Sequence, residues 1–114
     1  MFNLTSKGIR DGVISPEYGC CGECRHGIPQ LSLPLEWSDA PEGTASFALV
    51  FQDYDNIPEE GFSWIHWLVA DIPYDRTFLP ENASRQDGSL LQGRNSWMAP
   101  FPQYMKNSDI TDYY

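Results

Sequence analysis

The sequence predicts an all-β fold, built mainly from antiparallel, sandwich-like sheets with little helix, and three observations lead to this prediction. Nine glycines and nine prolines interrupt the 114-residue chain every few residues. No window keeps apolar residues at the i, i+3, i+4, i+7 spacing of a long amphipathic helix. Two apolar runs, over 46–53 and 64–72, are rich in the β-branched, aromatic and leucine side chains that buried strands contain.

Turn signals place the remaining elements. Gly- and Pro-containing sequences at 39–43 and 86–88 are typical of turns, and they separate runs in which apolar residues recur. The predicted strands are 12–14, 33–37, 47–53, 64–72 and, more weakly, 90–92. The polar tail over 103–114, with three tyrosines, is predicted to form a short helix or a loose arm.

Length and charge limit the classes of function. A chain of this size forms a single domain, 1–114. The net charge of −9 arises in 26–75, which holds nine acidic residues and no Lys or Arg. Because nucleic acids and anionic membranes require clustered cations, neither is expected as a partner. The N-terminus lacks the apolar segment of a signal peptide and no run is long enough to span a membrane, so a cytoplasmic protein is predicted.

His66 places an imidazole inside the apolar strand 64–72, and the preceding strand ends in the carboxylate Asp53. If the two strands pair antiparallel, Asp53 opposite Trp64 places Phe51 opposite His66. Asp53 and His66 are then diagonal neighbours, about 7–8 Å apart at the backbone. We expect Asp53 to accept a hydrogen bond from one ring nitrogen and, if its charge outweighs burial, to raise the pKa of His66. The structural alternative is a core histidine satisfied by one hydrogen bond.

Alternation along the same strand also predicts which side chains accompany His66. It places four residues on one face: Trp64, His66, Leu68 and Ala70.

The three cysteines fall within five residues and are followed by a histidine: Cys20, Cys21, Cys24 and His26. This set allows a Cys₃His zinc site, and Cys21 and Cys24 have the spacing of a redox pair. Structural zinc sites usually combine ligand pairs from two elements, and a second pair is missing from the sequence. Reduced loop thiols are therefore the favoured interpretation, with no metal or other cofactor predicted.

A longer series of short segments supports a family resemblance, which extends from about Leu4 to Asn95. These segments are Ser32-Leu33-Pro34-Leu35-Glu36-Trp37-Ser38, Ala40-Pro41-Glu42-Gly43-Thr44, Phe47-Ala48-Leu49, Asp53-Tyr54-Asp55, Trp64-Ile65-His66-Trp67, Ile72-Pro73 and Gln92-Gly93-Arg94-Asn95. In this order they resemble the phosphatidylethanolamine-binding protein family, and most closely its bacterial branch, described as Raf kinase inhibitor-like.

The resemblance implies a small pocket that accepts phosphate or a phosphorylated head group. By position, Asp53 and His66 line this pocket and Asp55 is the second aspartate of the motif; Trp64 and Arg94 are further candidates for ligand contact. Tyr54 stands where the family has proline. The family also continues into a strand carrying His-Arg-Tyr, which forms another pocket wall, whereas this sequence stops at Tyr114. This difference from the family has three explanations: the sequence is a fragment, the protein relies on another chain, or the fold is rearranged.

A binding module for phosphate or a phosphorylated small molecule is therefore the expected function, with regulation through a protein partner as an extension. The first alternative is a hydrolase that uses an Asp53–His66 dyad. The sequence offers no nucleophile elbow and no phosphate-cradling glycine loop, so an enzyme is not predicted. The second alternative is a zinc-stabilised interaction protein that depends on the cysteines. Because the family's last strands are missing, uncovered sheet edges predict a homo-oligomer.

Overall fold

The computed structural model describes residues 1–19, 22, 24–25, 28–98 and 113–114. Their strands form two three-stranded sheets and two two-stranded ribbons, and every pairing is antiparallel. The helices are single turns of four residues. The predicted all-β fold with little helix is confirmed.

The strands are numbered here in chain order: β1 (Asn3–Thr5), β2 (Ile9–Arg10), β3 (Val13–Ile14), β4 (Cys24–Arg25), β5 (Ile28–Pro29), β6 (Leu35–Ser38), β7 (Ser46–Asp53), β8 (Trp64–Pro73), β9 (Phe78–Leu79) and β10 (Leu91–Gly93). The short helices are α1 (Ile57–Glu60) and α2 (Ala83–Gln86), and 3-10 turns cover Pro16–Tyr18, Tyr54–Asn56 and Ser96–Met98.

All five predicted strands have a counterpart, in β3, β6, β7, β8 and β10. The strands that the sequence did not predict, β1, β2, β4, β5 and β9, contain only two or three residues. Such segments are too short to show alternation, and only pairing with a distant partner identifies them. Of the predicted tail, only Tyr113 and Tyr114 belong to the described residues.

The main core lies between the two three-stranded sheets, whose strand orders are β1-β6-β9 and β10-β8-β7. Trp37 of β6 packs edge-on against Phe47 of β7, with ring centroids 5.5 Å apart. Trp67 of β8 is completely buried. The buried residues of this cluster are Tyr18, Leu33, Leu35, Trp37, Trp67, Val69, Ile72, Leu79, Ala83 and Tyr114.

A polar cluster holds Trp67 in place from the side of β10. The indole Nε1 of Trp67 donates to Oε1 of Gln92 at 2.8 Å, and the hydroxyl of Ser84 donates to the same oxygen at 2.7 Å. Nε2 of Gln92 donates in return to the carbonyl of Ser84, at 2.8 Å. Because these buried groups satisfy one another, α2, β10 and the centre of β8 form one packed unit.

The register of β8 against β7 shifts twice, and each shift adds one residue to β8. Asp53 lies opposite Trp64, as predicted, but Phe51 lies opposite Trp67 rather than His66. His66 is therefore an unpaired bulge residue. The second shift lies between the pairs Phe47–Ile72 and Leu49–Val69.

Because of these bulges, the prediction that Trp64, His66, Leu68 and Ala70 share one face of β8 is wrong. Each extra residue moves the following side chains to the opposite face, so a uniform alternation does not persist along the strand. The buried residues of β8 are Trp64, Trp67, Val69 and Ile72, and Ala70 is exposed.

Asp71 lies in the second bulge with φ of 53°, a left-handed backbone conformation. Aspartate and asparagine tolerate this conformation better than other residues with a side chain, and β-branched residues are the least compatible. We expect Asp71→Val to lower the free energy of unfolding by about 1–2 kcal/mol, and Asp71→Asn to leave it within about 0.5 kcal/mol. Urea denaturation measures both.

Asp75 is the control position, because it is exposed in the next turn and does not have a positive φ. Asp75→Val should change the unfolding free energy by no more than about 0.5 kcal/mol. An equal loss for Asp71→Val and Asp75→Val would show that the bulge does not constrain the backbone at Asp71.

Candidate functional site

The candidate site is an open cleft of about 540 Å³ next to the first bulge of β8. It lies where the N-terminal segment around the Pro16–Tyr18 turn meets β7, β8, the Ser96–Met98 turn and Tyr114. The described residues that line it are Ile14, Ser15, Pro16, Tyr18, Gly19, Pro29, Phe51, His66, Trp97 and Tyr114. The lining is thus mainly apolar and aromatic, with a small number of polar groups, as in many small-molecule sites.

His66 reaches this cleft because it is the bulge residue. It is half-buried, and its ring lies 5.1 Å from the ring of Phe51, with an angle of 37° between the planes. Bulges commonly re-aim a side chain next to a functional site. His66, the ionisable group that the sequence singled out, lines this cleft, although its position in the ladder differs from the predicted one.

Two side chains from the segment after β10 form hydrogen bonds with backbone groups at the bulge. The hydroxyl of Ser96 accepts a hydrogen bond from the N–H of Ile65, at 2.9 Å. Nδ2 of Asn95 donates to the carbonyl of His66 at 3.4 Å, and Oδ1 of Asn95 accepts from the N–H of Trp97 at 3.2 Å. Asn95 belongs to one of the segments that carry the family resemblance, but no role at the site was predicted for Asn95 or Ser96.

Asp53 does not line the cleft together with His66. Its Oδ1 accepts a hydrogen bond from the N–H of Asp55, at 2.8 Å, and thereby caps the Tyr54–Asn56 turn. Both residues belong to the described part of the chain, and the hydrogen bond expected between the His66 ring and Asp53 is not formed there. Asp53 therefore acts on His66 through its charge rather than through a shared proton.

Burial and Asp53 have opposite effects on the pKa of His66. Burial disfavours the imidazolium and is the larger effect, so the pKa lies below its ordinary value; the negative charge of Asp53 partly offsets this by raising it. The raised pKa predicted from the sequence required the charge of Asp53 to outweigh burial, and this condition is not met. At neutral pH the ring is therefore neutral, with one N–H donor and one acceptor nitrogen.

Two tyrosines line the cleft, and both carry hydroxyls with raised pKa values. The hydroxyl of Tyr18 donates to Oε1 of Glu81 at 2.8 Å, and burial together with this carboxylate raises the pKa of Tyr18 to about 12. Burial also raises the pKa of Tyr114 to about 12, and its hydroxyl donates to the carbonyl of Tyr18 at 3.3 Å. The ring of Tyr114 packs edge-on against Trp67, at 5.5 Å. Neither residue could be assigned from sequence, because the two segments meet only in the folded chain.

The other predicted contacts lie outside the cleft lining. Asp55 and Arg94 are exposed. Trp64 is buried and packs edge-on against Trp97, with centroids 5.0 Å apart, so it supports a cleft wall from behind. Among the lining residues within the described ranges there is no Lys or Arg, and His66 is the only one that titrates near neutral pH.

The cysteine cluster falls largely outside the described residues. This applies to Cys20, Cys21 and His26, whereas Cys24 is exposed at the start of β4. In the part of the chain that the structure describes, no three His, Cys, Asp or Glu side chains are grouped to hold a metal ion. That same part contains no helix with the length and apolar character needed to cross a membrane.

The sequence matches the phosphatidylethanolamine-binding protein family profile over residues 5–113. The chain belongs to the phosphatidylethanolamine-binding protein family. YbcL of Escherichia coli K12, a member of protein family UPF0098, is 37% identical over 107 aligned positions, and the alignment covers 84% of this chain. YxkA of Bacillus subtilis strain 168 is 49% identical over 78 residues, or 67% of this chain. The resemblance predicted from the sequence is confirmed.

Solved structures of this family have the same fold. The crystal structure of E. coli YbcL, described as a member of the mammalian PEBP family, aligns with a TM-score of 0.68 and 38% identity over 82% of this chain. A putative homologue from Chlamydia trachomatis aligns with a TM-score of 0.66 and 32% identity over 83% of this chain. The chain spans 46% and 54% of the lengths of YxkA and YbcL, and 58–59% of the two solved chains.

An NMR pH titration tests the electrostatics of this family member's cleft. We expect His66 to titrate below the ordinary value of 6.5, because burial is the larger effect. Asp53→Asn should lower the pKa further, since the variant removes the attractive charge. His26→Gln assigns the second histidine signal, and a His66 pKa above 6.5 in the wild type would contradict the burial argument.

The same shift predicts how stability depends on pH. Because the folded-state pKa of His66 is lowered, the unfolded chain binds this proton more readily, and stability falls as pH decreases through the ordinary value of 6.5. Replacing His66 with Gln should remove this contribution. Urea midpoints of both proteins across this pH window measure the difference.

Proposed function

We propose that this chain is an anion-binding module of the phosphatidylethanolamine-binding protein type, whose ligand is phosphate or a phosphorylated small molecule. The observation that carries the proposal is the position of His66: a bulge in β8 presents its imidazole to an open cleft of about 540 Å³. A volume in this range accommodates a small-molecule ligand as well as a single ion. His66 is the proposed direct contact to the anion.

The charges around the cleft support this assignment in spite of the net charge of −9. Tyr18 and Tyr114 carry neutral hydroxyls at physiological pH, since their pKa values are about 12. Asp53 caps the turn that follows β7 and is not among the lining residues, so it does not face the ligand directly. Neutral His66 offers one N–H donor, and protonated His66 adds a positive charge.

The remaining expectations from the sequence are part of this proposal. Regulation through a protein partner, as the Raf kinase inhibitor-like branch implies, would use ligand occupancy of the cleft as its input. A cytoplasmic location is proposed as well, and the acidic stretch over 26–75 supports the lack of a nucleic-acid partner. We propose no catalytic step, because the described cleft lining offers no activated nucleophile beside His66.

Anion titrations at several pH values test the proposal. An anion stabilises imidazolium, so bound sulfate should raise the pKa of His66, and its affinity should increase as pH decreases from about 8 to about 5. Sulfate separates this effect from the protonation of phosphate, because its own charge is constant in this range. Phosphate is then compared with sulfate by calorimetry and NMR.

Variants identify the contact. His66→Ala should weaken sulfate binding by roughly 10- to 100-fold, which corresponds to the loss of a hydrogen bond with a charged partner. His26→Ala is the matched control and should bind as the wild type does. An anion response at His26 with none at His66 would contradict the proposed site. Turnover of phosphoesters that disappears in His66→Ala would favour the hydrolase alternative instead.

We also propose that the chain forms a homo-oligomer through the sheet β10-β8-β7. Within the described ranges no strand pairs with the second edge of β7, and the outer face of this sheet exposes Val50 and Leu91. Unpaired strand edges with apolar neighbours favour pairing with another chain. Light scattering should give a mass above 13.0 kDa, and Val50→Lys should shift it toward that value. A wild-type monomer at micromolar concentration would contradict this.

A further inference from the structure

We propose that Asn95 and Ser96 are positioning residues for His66: their side chains hold the β8 bulge in the conformation that directs the imidazole into the cleft. This inference rests on the proposed function, in which His66 contacts the anion. It adds two residues that do not line the cleft themselves but set the geometry of one that does.

The need for such residues follows from where β10 ends. β10 pairs with β8 only at Leu68, Val69 and Ala70, and its last residue is Gly93. Beyond that point, the side of β8 that faces β10 carries backbone groups that no strand in the described ladder pairs. The bulge at His66 lies in this part of β8, so the ladder with β10 does not determine its conformation.

Asn95 and Ser96 supply the missing partners with side chains. Ser96 accepts from the N–H of Ile65 at 2.9 Å, and Asn95 donates to the carbonyl of His66 at 3.4 Å. The N–H of Ile65 belongs to the peptide group between Trp64 and Ile65, and the carbonyl of His66 belongs to the peptide group that follows His66. The two bonds therefore hold the backbone on both sides of the peptide that joins Ile65 to His66. Together they restrain the backbone torsions that determine the direction of the His66 side chain.

Asn95 further couples two walls of the cleft. Its side chain is buried, with 4% of its surface exposed, and its Oδ1 accepts from the N–H of Trp97 at 3.2 Å. Trp97 and His66 both line the cleft. One planar amide therefore joins the backbone of His66 to the backbone of Trp97, and a side chain without that amide leaves two part-buried backbone groups without this partner.

A matched pair at position 96 tests the inference. Ser96→Thr keeps the hydroxyl. Ser96→Val introduces a side chain with the shape of threonine but without the hydroxyl. Asn95→Ala removes the amide. Ser32→Ala is the control for general destabilisation, because Ser32 is fully buried and accepts from the N–H of Ser84 at 3.1 Å but does not line the cleft.

The first readout uses no ligand. If the bulge loosens and the ring moves toward water, the pKa of His66 should rise toward 6.5, and the NOE between the rings of His66 and Phe51 should weaken. We expect both changes in Ser96→Val and in Asn95→Ala, and neither change in Ser96→Thr or Ser32→Ala. A structural role alone would lower the melting temperature and leave these two signals unchanged.

The second readout is binding of inorganic phosphate. Affinity should fall roughly tenfold in Ser96→Val and Asn95→Ala, as for the loss of one hydrogen bond, and should be retained in Ser96→Thr. If Ser96→Val folds and its two His66 signals are unchanged, the positioning role is wrong. The comparison of Ser96→Val with Ser96→Thr decides this even if Asn95→Ala does not fold. If the wild type binds no phosphate, the proposed function fails, whereas the ligand-free readout still decides the positioning role.

Discussion

The cleft depends on one constraint, which is the pairing of β7 with β8. Within this pairing, β8 carries two extra residues. The pairing buries Trp67, Val69 and Ile72 against the second sheet, and this burial holds β8 in place. The bulge at His66 then directs one polar side chain away from the regular alternation and into the cleft. A perfectly regular ladder would place the imidazole directly opposite Phe51, and the geometry around the cleft would differ.

The apolar surroundings would make His66 sensitive to the proposed anion. Burial lowers the pKa of the ring, so the free protein at neutral pH has no desolvated positive charge in the cleft. An anion next to the ring would compensate for this burial, so binding of the proposed ligand and protonation of His66 would be linked. The two neutral tyrosines contribute to the same environment, since their hydroxyls stay protonated and do not repel an anion.

The acidic character of the chain is compatible with the proposed ligand because the described residues that line the cleft include no Asp or Glu. Asp53 accepts from the N–H of Asp55 at the start of a 3-10 turn, and Glu81 accepts from the hydroxyl of Tyr18. The partner of Asp53 is local in the sequence, whereas Glu81 and Tyr18 meet only in the folded chain. The remaining effect of Asp53 on His66 is a modest electrostatic one that favours the protonated ring.

The sequence by itself determined the strands that frame the site, the family, and the pairing of Asp53 with Trp64, because apolar runs and the spacing of turns are local properties of the chain. It also singled out His66, since an imidazole in an apolar strand is unusual. The bulges, and the approach of Tyr18, Trp97 and Tyr114 to His66, depended on the tertiary structure. A bulge forms where distant partners satisfy its backbone, as Asn95 and Ser96 do, and no local periodicity encodes a contact across some thirty residues.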